Sequence, residues 1–121
     1  MAYRRPTRVE GRLLAQLSAA ADLAGSLQSW LQVVLVEPIG DGGMGSLRLQ
    51  VPDVPRATGH QLAIRSELIF KDADDVDVLV SLYCDANGVP VELDIWKVDY
   101  MPVVRFPDEL PSARRPPSVS G

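Results

Sequence analysis

Between positions 13 and 24 apolar residues recur at three- and four-residue intervals. Leu13, Leu17, Ala20, Ala21 and Ala24, with Leu14 beside them, form the stripe of an amphipathic helix. Thr7-Arg8-Val9-Glu10 sets its start. In a capping box the threonine oxygen accepts the Glu10 amide proton, and the Glu10 carboxylate reaches back to the threonine amide. Gly25 supplies a stop, so a helix is predicted over 7–24, with Gly11 weakening its first turn by about 1 kcal/mol relative to alanine. Ser26 is placed to cap a short second helix, reaching Leu31 and carrying Leu27 and Trp30.

From Val33 the period drops to two and β-branched residues accumulate, which predicts strands over 33–38, 46–51, 61–71, 76–84 and 89–98. Asn87-Gly88 suits a type I′ turn, whose two central residues both need positive φ. Counting outward from that turn sets Cys84 opposite Val91, Tyr83 opposite Glu92, Leu82 opposite Leu93, Ser81 opposite Asp94, Val80 opposite Ile95 and Leu79 opposite Trp96. One face then holds Val78, Val80, Leu82 and Cys84 with Val89, Val91, Leu93 and Ile95, an apolar surface for the helix to cover. The other face holds Ser81, Tyr83, Glu92, Asp94 and Trp96. In the preceding strand Leu62, Ile64, Leu68 and Phe70 alternate with Ala63, Arg65, Glu67, Ile69 and Lys71, which carries the polar face across the sheet. The expected fold is α+β: an N-terminal helix packed on one face of a mostly antiparallel meander sheet of about five strands. Residues 1–106 make the domain. Residues 107–121, rich in proline and serine, read as a mobile tail.

Length and composition narrow this further. A chain of 121 residues that is 46% hydrophobic and 23% charged has room for one core and is neither disordered nor collagen-like. Its net charge of −4 argues against tracking phosphates along nucleic acid. The single cysteine cannot close an internal disulfide, and the single histidine cannot build a metal cage. Arg4, Arg5, Arg8 and Arg12 ahead of an apolar stretch imitate a targeting presequence, but Glu10, Gln16, Ser18 and Asp22 interrupt it and nothing is long enough to span a membrane. The expectations are a cytoplasmic protein without cofactor or metal, bound to neither nucleic acid nor membrane.

Several groups are candidates for chemistry. Gly40-Asp41-Gly42-Gly43-Met44-Gly45 has the glycine content of an anion cradle, with Asp41, Gly42 and Gly43 as the ligand-loop residues. It lacks the lysine and following helix of a phosphate loop. Asp72, Asp74, Asp75 and Asp77 gather oxygen ligands without the glycine and glutamate of an EF-hand, and read as a solvated turn. His60, Cys84 and Asp94 supply a base, a nucleophile and an orienter by type, though Cys84 is predicted to face inward. Glu67, Glu92 and Asp94 share a face, but a flat face offers no cleft for paired-carboxylate chemistry, and Arg48, Arg65 and Lys71 stand ready for cross-strand ion pairs.

The strings 40–47 (GDGGMGSL), 80–85 (VSLYCD) and 92–100 (ELDIWKVDY), followed by Arg105-Phe106-Pro107, resemble a family of short bacterial proteins known only as a domain of unknown function. The similarity covers about 33–107, with weaker matching at the two ends, and implies a small single-domain α+β protein with no established activity or catalytic residues. Two functional classes follow from the residues. The first is an interaction module of the immunity or antitoxin kind, docking a protein with a basic surface on Arg65, Glu67, Tyr83, Glu92, Asp94 and Trp96. The second is a ligand-binding or enzymatic module built on the glycine loop. The docking reading competes with one in which 98–106 folds back to cover Trp96. In the tail, Arg114-Arg115-Pro116-Pro117 has the composition of a docking segment.

Overall fold

The computed structural model describes residues 2–117 apart from Ala24, Gln28, Asp41 and His60. Helix α1 spans Arg8–Ala20, and both bonds of the capping box form: Glu10 N donates to Thr7 Oγ1 at 3.2 Å and Thr7 N donates to Glu10 Oε1 at 2.9 Å. Arg4 pairs with the same carboxylate at 2.7 Å. Burial pushes the Glu10 carboxyl up, but Arg4 and Thr7 outweigh it and hold it below its ordinary value. The helix ends at Ala20 rather than Ala24, because Asp22 takes a left-handed φ of 51° that a short polar side chain tolerates. The expected second helix is two 3-10 turns, Gly25–Leu27 and Trp30–Gln32. The Trp30 indole N–H donates to Ser18 Oγ at 3.0 Å and folds this stretch back onto α1.

The strands are β1 Leu35–Pro38, β2 Leu47–Gln50, β3 Ala63–Lys71, β4 Asp77–Cys84 and β5 Pro90–Lys97, in the order β1-β2-β5-β4-β3 with every neighbouring pair antiparallel. The α+β class with one helix on an antiparallel sheet is therefore as read from the pattern. One step is not a meander step. β2 pairs with β5, not β3, so the chain after β2 crosses to the far edge. Ser46 extends that pairing, since Ile95 N donates to Ser46 Oγ at 2.8 Å. Leu13, Leu14 and Leu17 of α1 are buried against Leu68, Val80, Leu82 and Leu93 from the sheet, while Leu27 and Trp30 join the same core. Ser66, fully buried, donates its hydroxyl to Leu17 O at 2.7 Å and ties β3 to the helix.

The β4–β5 register from Leu79↔Trp96 to Tyr83↔Glu92 is the one counted from sequence, but the turn differs. Gly88 alone is left-handed, at φ 78°, and Asn87 is not. Gly88 N donates to Asp85 O at 2.9 Å and Asp85 N to Val89 O at 3.0 Å, closing a three-residue loop. Cys84 consequently faces Pro90 instead of Val91, and Val91 is the extra residue of a bulge that restores the counted register one step on. The cause is Asp85, whose carboxylate accepts from Asn87 N at 2.9 Å and Val89 N at 3.0 Å and so stabilises a turn needing one positive φ rather than two. A second bulge at Arg65 sets Ile64 opposite Tyr83 and leaves Leu62 46% exposed, so neither faces the core as the alternation implied.

Terminal segments cover both sheet edges. Val36 of β1 exchanges two backbone hydrogen bonds with Arg4, and Glu67 of β3 exchanges two with Arg114. Residues 107–117, the first part of the stretch read as a mobile tail, thus lie along α1 and β3 with Leu110 and Ala113 half-buried against the core. The last four positions are outside the described residues.

Candidate functional site

Because α1 occupies one face of the sheet, the side chains of opposite parity stand on the other, and the register aligns them in rows. Ile69, Leu79 and Trp96 are consecutive partners across β3, β4 and β5. Ile69 is 47% exposed and Trp96 37%. Tyr100 meets Trp96 edge-on, with ring centroids 6.1 Å apart. The next row is Glu67, Ser81 and Asp94. The third runs from Ile64 through Tyr83, Glu92 and Arg48 to Glu37, with Arg48 and Glu37 3.4 Å apart. Five of the six residues expected at a docking surface, Glu67, Tyr83, Glu92, Asp94 and Trp96, are thereby together on one face. Arg65 is the bulge residue and is drawn to the hairpin, its guanidinium 3.6 Å from where a Cβ on Gly88 would stand. Partial burial raises both the Tyr83 hydroxyl and the Glu92 carboxyl, and Asp94 pushes both further up; Arg48 partly offsets this at Glu92. Glu92 and Asp94 thus stand as like charges two residues apart on β5, with Arg48 beside Glu92.

Beside this face sits a device that residue types alone did not disclose. Lys97 has no exposed surface, and its ammonium donates to Asp72 Oδ2 at 2.8 Å, Asp74 Oδ2 at 2.6 Å and Pro102 O at 3.3 Å. Three protons meet three acceptors. Asp72 also accepts from Ala73 N at 2.7 Å, Val104 N at 2.7 Å and Arg105 N at 2.9 Å. Burial alone would push the Asp72 carboxyl up, but Lys97 and these backbone amides hold it far below the ordinary carboxylate range. Burial likewise opposes charge on Lys97, and Asp72 and Asp74 reverse that, raising its pKa. Tyr100, left-handed at φ 64°, turns the chain so that 101–106 wraps this pair, and Phe106 packs on Phe70 with centroids 5.6 Å apart. The returning segment covers Lys97 and Phe70, and of 98–106 Tyr100 lies against the edge of Trp96, which is covered in part and stays 37% exposed. Asp72 and Asp74 are spent on this anchor, and Asp77 pairs with Lys71 at 3.0 Å, so the aspartates are not a plain solvated turn. Among the described residues no group of three His, Cys, Asp or Glu is arranged to hold a metal ion.

The glycine loop has a conformational explanation. Gly42, Gly43 and Gly45 all have positive φ, and added Cβ atoms would meet Pro102 Cγ at Gly43 and Ile95 Cδ1 at Gly45, each at 3.4 Å. The loop lies over the end of β5 against the returning segment; Asp41 is outside the described residues. Cys84 is fully buried on the helix side of the sheet, where burial pushes its thiol up to about 11, whereas Asp94 stands on the open face. The two cannot share a site, and His60 is outside the described residues. Of the carboxylates, Glu67 pairs with Arg114 at 3.3 Å. Two open clefts of about 410 and 450 Å³ flank Ala63 and Arg65 near the hairpin, away from the carboxylates of the open face.

A family model matches residues 3–107, taking in α1, all five strands and the wrap around Lys97. The chain belongs to that family, the domain of unknown function DUF6984. The match begins thirty residues ahead of the similarity seen in the sequence strings, so the capped helix is part of the DUF6984 unit. Residues 108–117, which cover the β3 edge, lie beyond it. No curated protein and no solved structure matches the chain.

Proposed function

We propose that this DUF6984 domain is a non-catalytic protein-interaction module, of the immunity or antitoxin kind, whose open sheet face docks a protein with a basic surface. The observation behind it is the adjacency of two rows: Ile69, Leu79 and Trp96, apolar and in part exposed, beside Glu67, Ser81 and Asp94. Exposed tryptophan with tyrosine at its edge supplies the large rigid contact area typical of binding hot spots, and the flanking carboxylates select the charge of what approaches. Arg114 on Glu67 is an intramolecular instance of an arginine engaging the acidic row. Within this reading the domain works in the cytoplasm, since its single buried cysteine calls for no oxidising compartment. The alternative built on Asp41, Gly42 and Gly43 has the loop's composition behind it, but the positive φ of Gly42, Gly43 and Gly45 calls for glycine whether or not a ligand binds.

The test is to capture a partner from the native host on the immobilised chain, purify that partner and titrate it against wild type, Trp96→Ala, Glu92→Lys and, as a control on the helix side, Val9→Ala. Trp96→Ala is expected to cost about 2 kcal/mol of binding with folding intact, and Glu92→Lys to slow association in low salt. Equal affinity for Trp96→Ala and Val9→Ala would overturn the reading.

A further inference from the structure

The groove between α1 and the outer edge of β3 is filled by residues 107–117, and the manner of filling is that of a ligand. From the helix side, Arg12 donates to the carbonyls of Pro107 and Asp108, and Gln16 Nε2 donates to Pro111 O at 2.9 Å. These contacts hold backbone carbonyls, at the bend through Asp108 and Glu109 and again at Pro111, without regard to side chains. From the sheet side, Glu67 supplies the two hydrogen bonds of a single β-bridge, 2.8 and 2.9 Å long, as an edge strand does when it accepts an added strand. Selectivity comes from apolar seats for Leu110 and Ala113 and from two acids: Glu67 meets Arg114 at 3.3 Å and Asp22 meets Arg115 at 3.2 Å. Arg115 Nε also donates to Ala20 O, near the carbonyl end of α1, at 3.2 Å.

We propose that this groove is a binding site for an extended peptide in which a small apolar residue is followed by two arginines, and that the chain's own tail occupies it in cis. The groove is made by residues inside the family match and its occupant, Pro107 apart, by residues beyond it, so acceptor and ligand are separable parts of the chain. The occupant is tied to the sheet by one bridge and otherwise held by side-chain contacts, from Arg12 and Gln16, from the seats of Leu110 and Ala113 and from the charge pairs at its exposed arginines, with prolines at 107, 111, 116 and 117 limiting further ladder bonds. A trans peptide of the same chemistry exchanges with it at the cost of competing with a tethered copy, whose effective concentration is on the order of millimolar. This site shares the Glu67 carboxylate with the open face, but its other contacts, from Arg12, Gln16, Ala20 and Asp22, lie on the helix side, and it stands whether or not that face docks a partner.

The probe is a fluorescent synthetic peptide of residues 107–117. It is titrated into the full-length chain and into the full-length double variant Arg114→Glu, Arg115→Glu, whose tail is repelled by Glu67 and Asp22. The double variant is expected to bind the peptide at least about tenfold more tightly than wild type, and the charge-reversed peptide to bind neither. No difference between the two chains, or no saturable binding to a folded double variant, would overturn the proposal. A readout independent of that variant uses wild-type chain labelled with ¹⁵N. Excess unlabelled peptide is expected to strip the Arg114 amide of its exchange protection, and an Arg114 amide unmoved at saturating peptide would overturn the proposal.

Discussion

Lys97 shows how one side chain governs a whole segment. Its position was legible in principle: β5 alternates Leu93, Ile95 and Lys97 inward, so an inward lysine at the strand end calls for an acid nearby. What parity could not indicate is which acid, because Asp72 and Asp74 arrive from the β3–β4 turn and the amides of Val104 and Arg105 from a segment without regular structure. A buried ion pair broken on one side leaves an uncompensated charge, so Asp72→Asn is expected to lower the melting temperature by on the order of 10 °C and to free residues 101–106. Since the folded-state pKa of Asp72 is depressed, its contribution is complete above the unfolded value of about 4 and is withdrawn as pH falls toward the folded value. Denaturant titrations from pH 7 to 3 should show the gap between wild type and Asp72→Asn narrowing below about pH 4; a gap independent of pH would place the stabilisation elsewhere.

Among the elements, α1 and the β4–β5 hairpin were the most legible, because both rest on local signals. The Thr7–Glu10 box sets the helix start whatever surrounds it, and inside–outside alternation sets the register of β4 against β5. The turn itself departs from its local signal. Asn87-Gly88 invites a two-residue loop, but Asp85 binds two amides of the turn with its carboxylate, and the bulge at Val91 absorbs the extra residue. A substitution pair separates the two geometries. Gly88→Ala, at φ 78°, should cost about 1 kcal/mol or more, while Asn87→Ala should fall within about 0.5 kcal/mol of wild type, as measured by denaturant melts. A type I′ turn would penalise both. The bulge at Arg65 escaped for a related reason: nothing in the spacing of Leu62, Ile64 and Leu68 marks where the ladder slips by one residue.

At the scale of the molecule, the two sheet faces behave as different materials. Leu17→Ala and Leu93→Ala, both fully buried in one core, should each cost about 2–5 kcal/mol. Glu92→Gln on the open face should change stability by less than about 0.5 kcal/mol, and Trp96→Ala should cost well under half the loss of Leu93→Ala in the same denaturant melts. Comparable losses for Trp96 and Leu93 would mean that the open face is part of the core. The candidate site was half visible beforehand. Parity placed Glu67, Tyr83, Glu92, Asp94 and Trp96 on one side, but their company, with Ile69 and Leu79 in register and Tyr100 at the indole edge, depends on strand order and on the chain reversal after Lys97. By itself the sequence determined the helix and its cap, the five strands, the facing of most of their side chains and the single core, because periodicity and capping act within a few residues. Only the tertiary structure decided that β2 joins β5, that Asp72 neutralises Lys97 and that residues 107–117 lie on the β3 edge. Those contacts join positions distant along the chain, and only competition among burial, charge and unpaired backbone in three dimensions selects them.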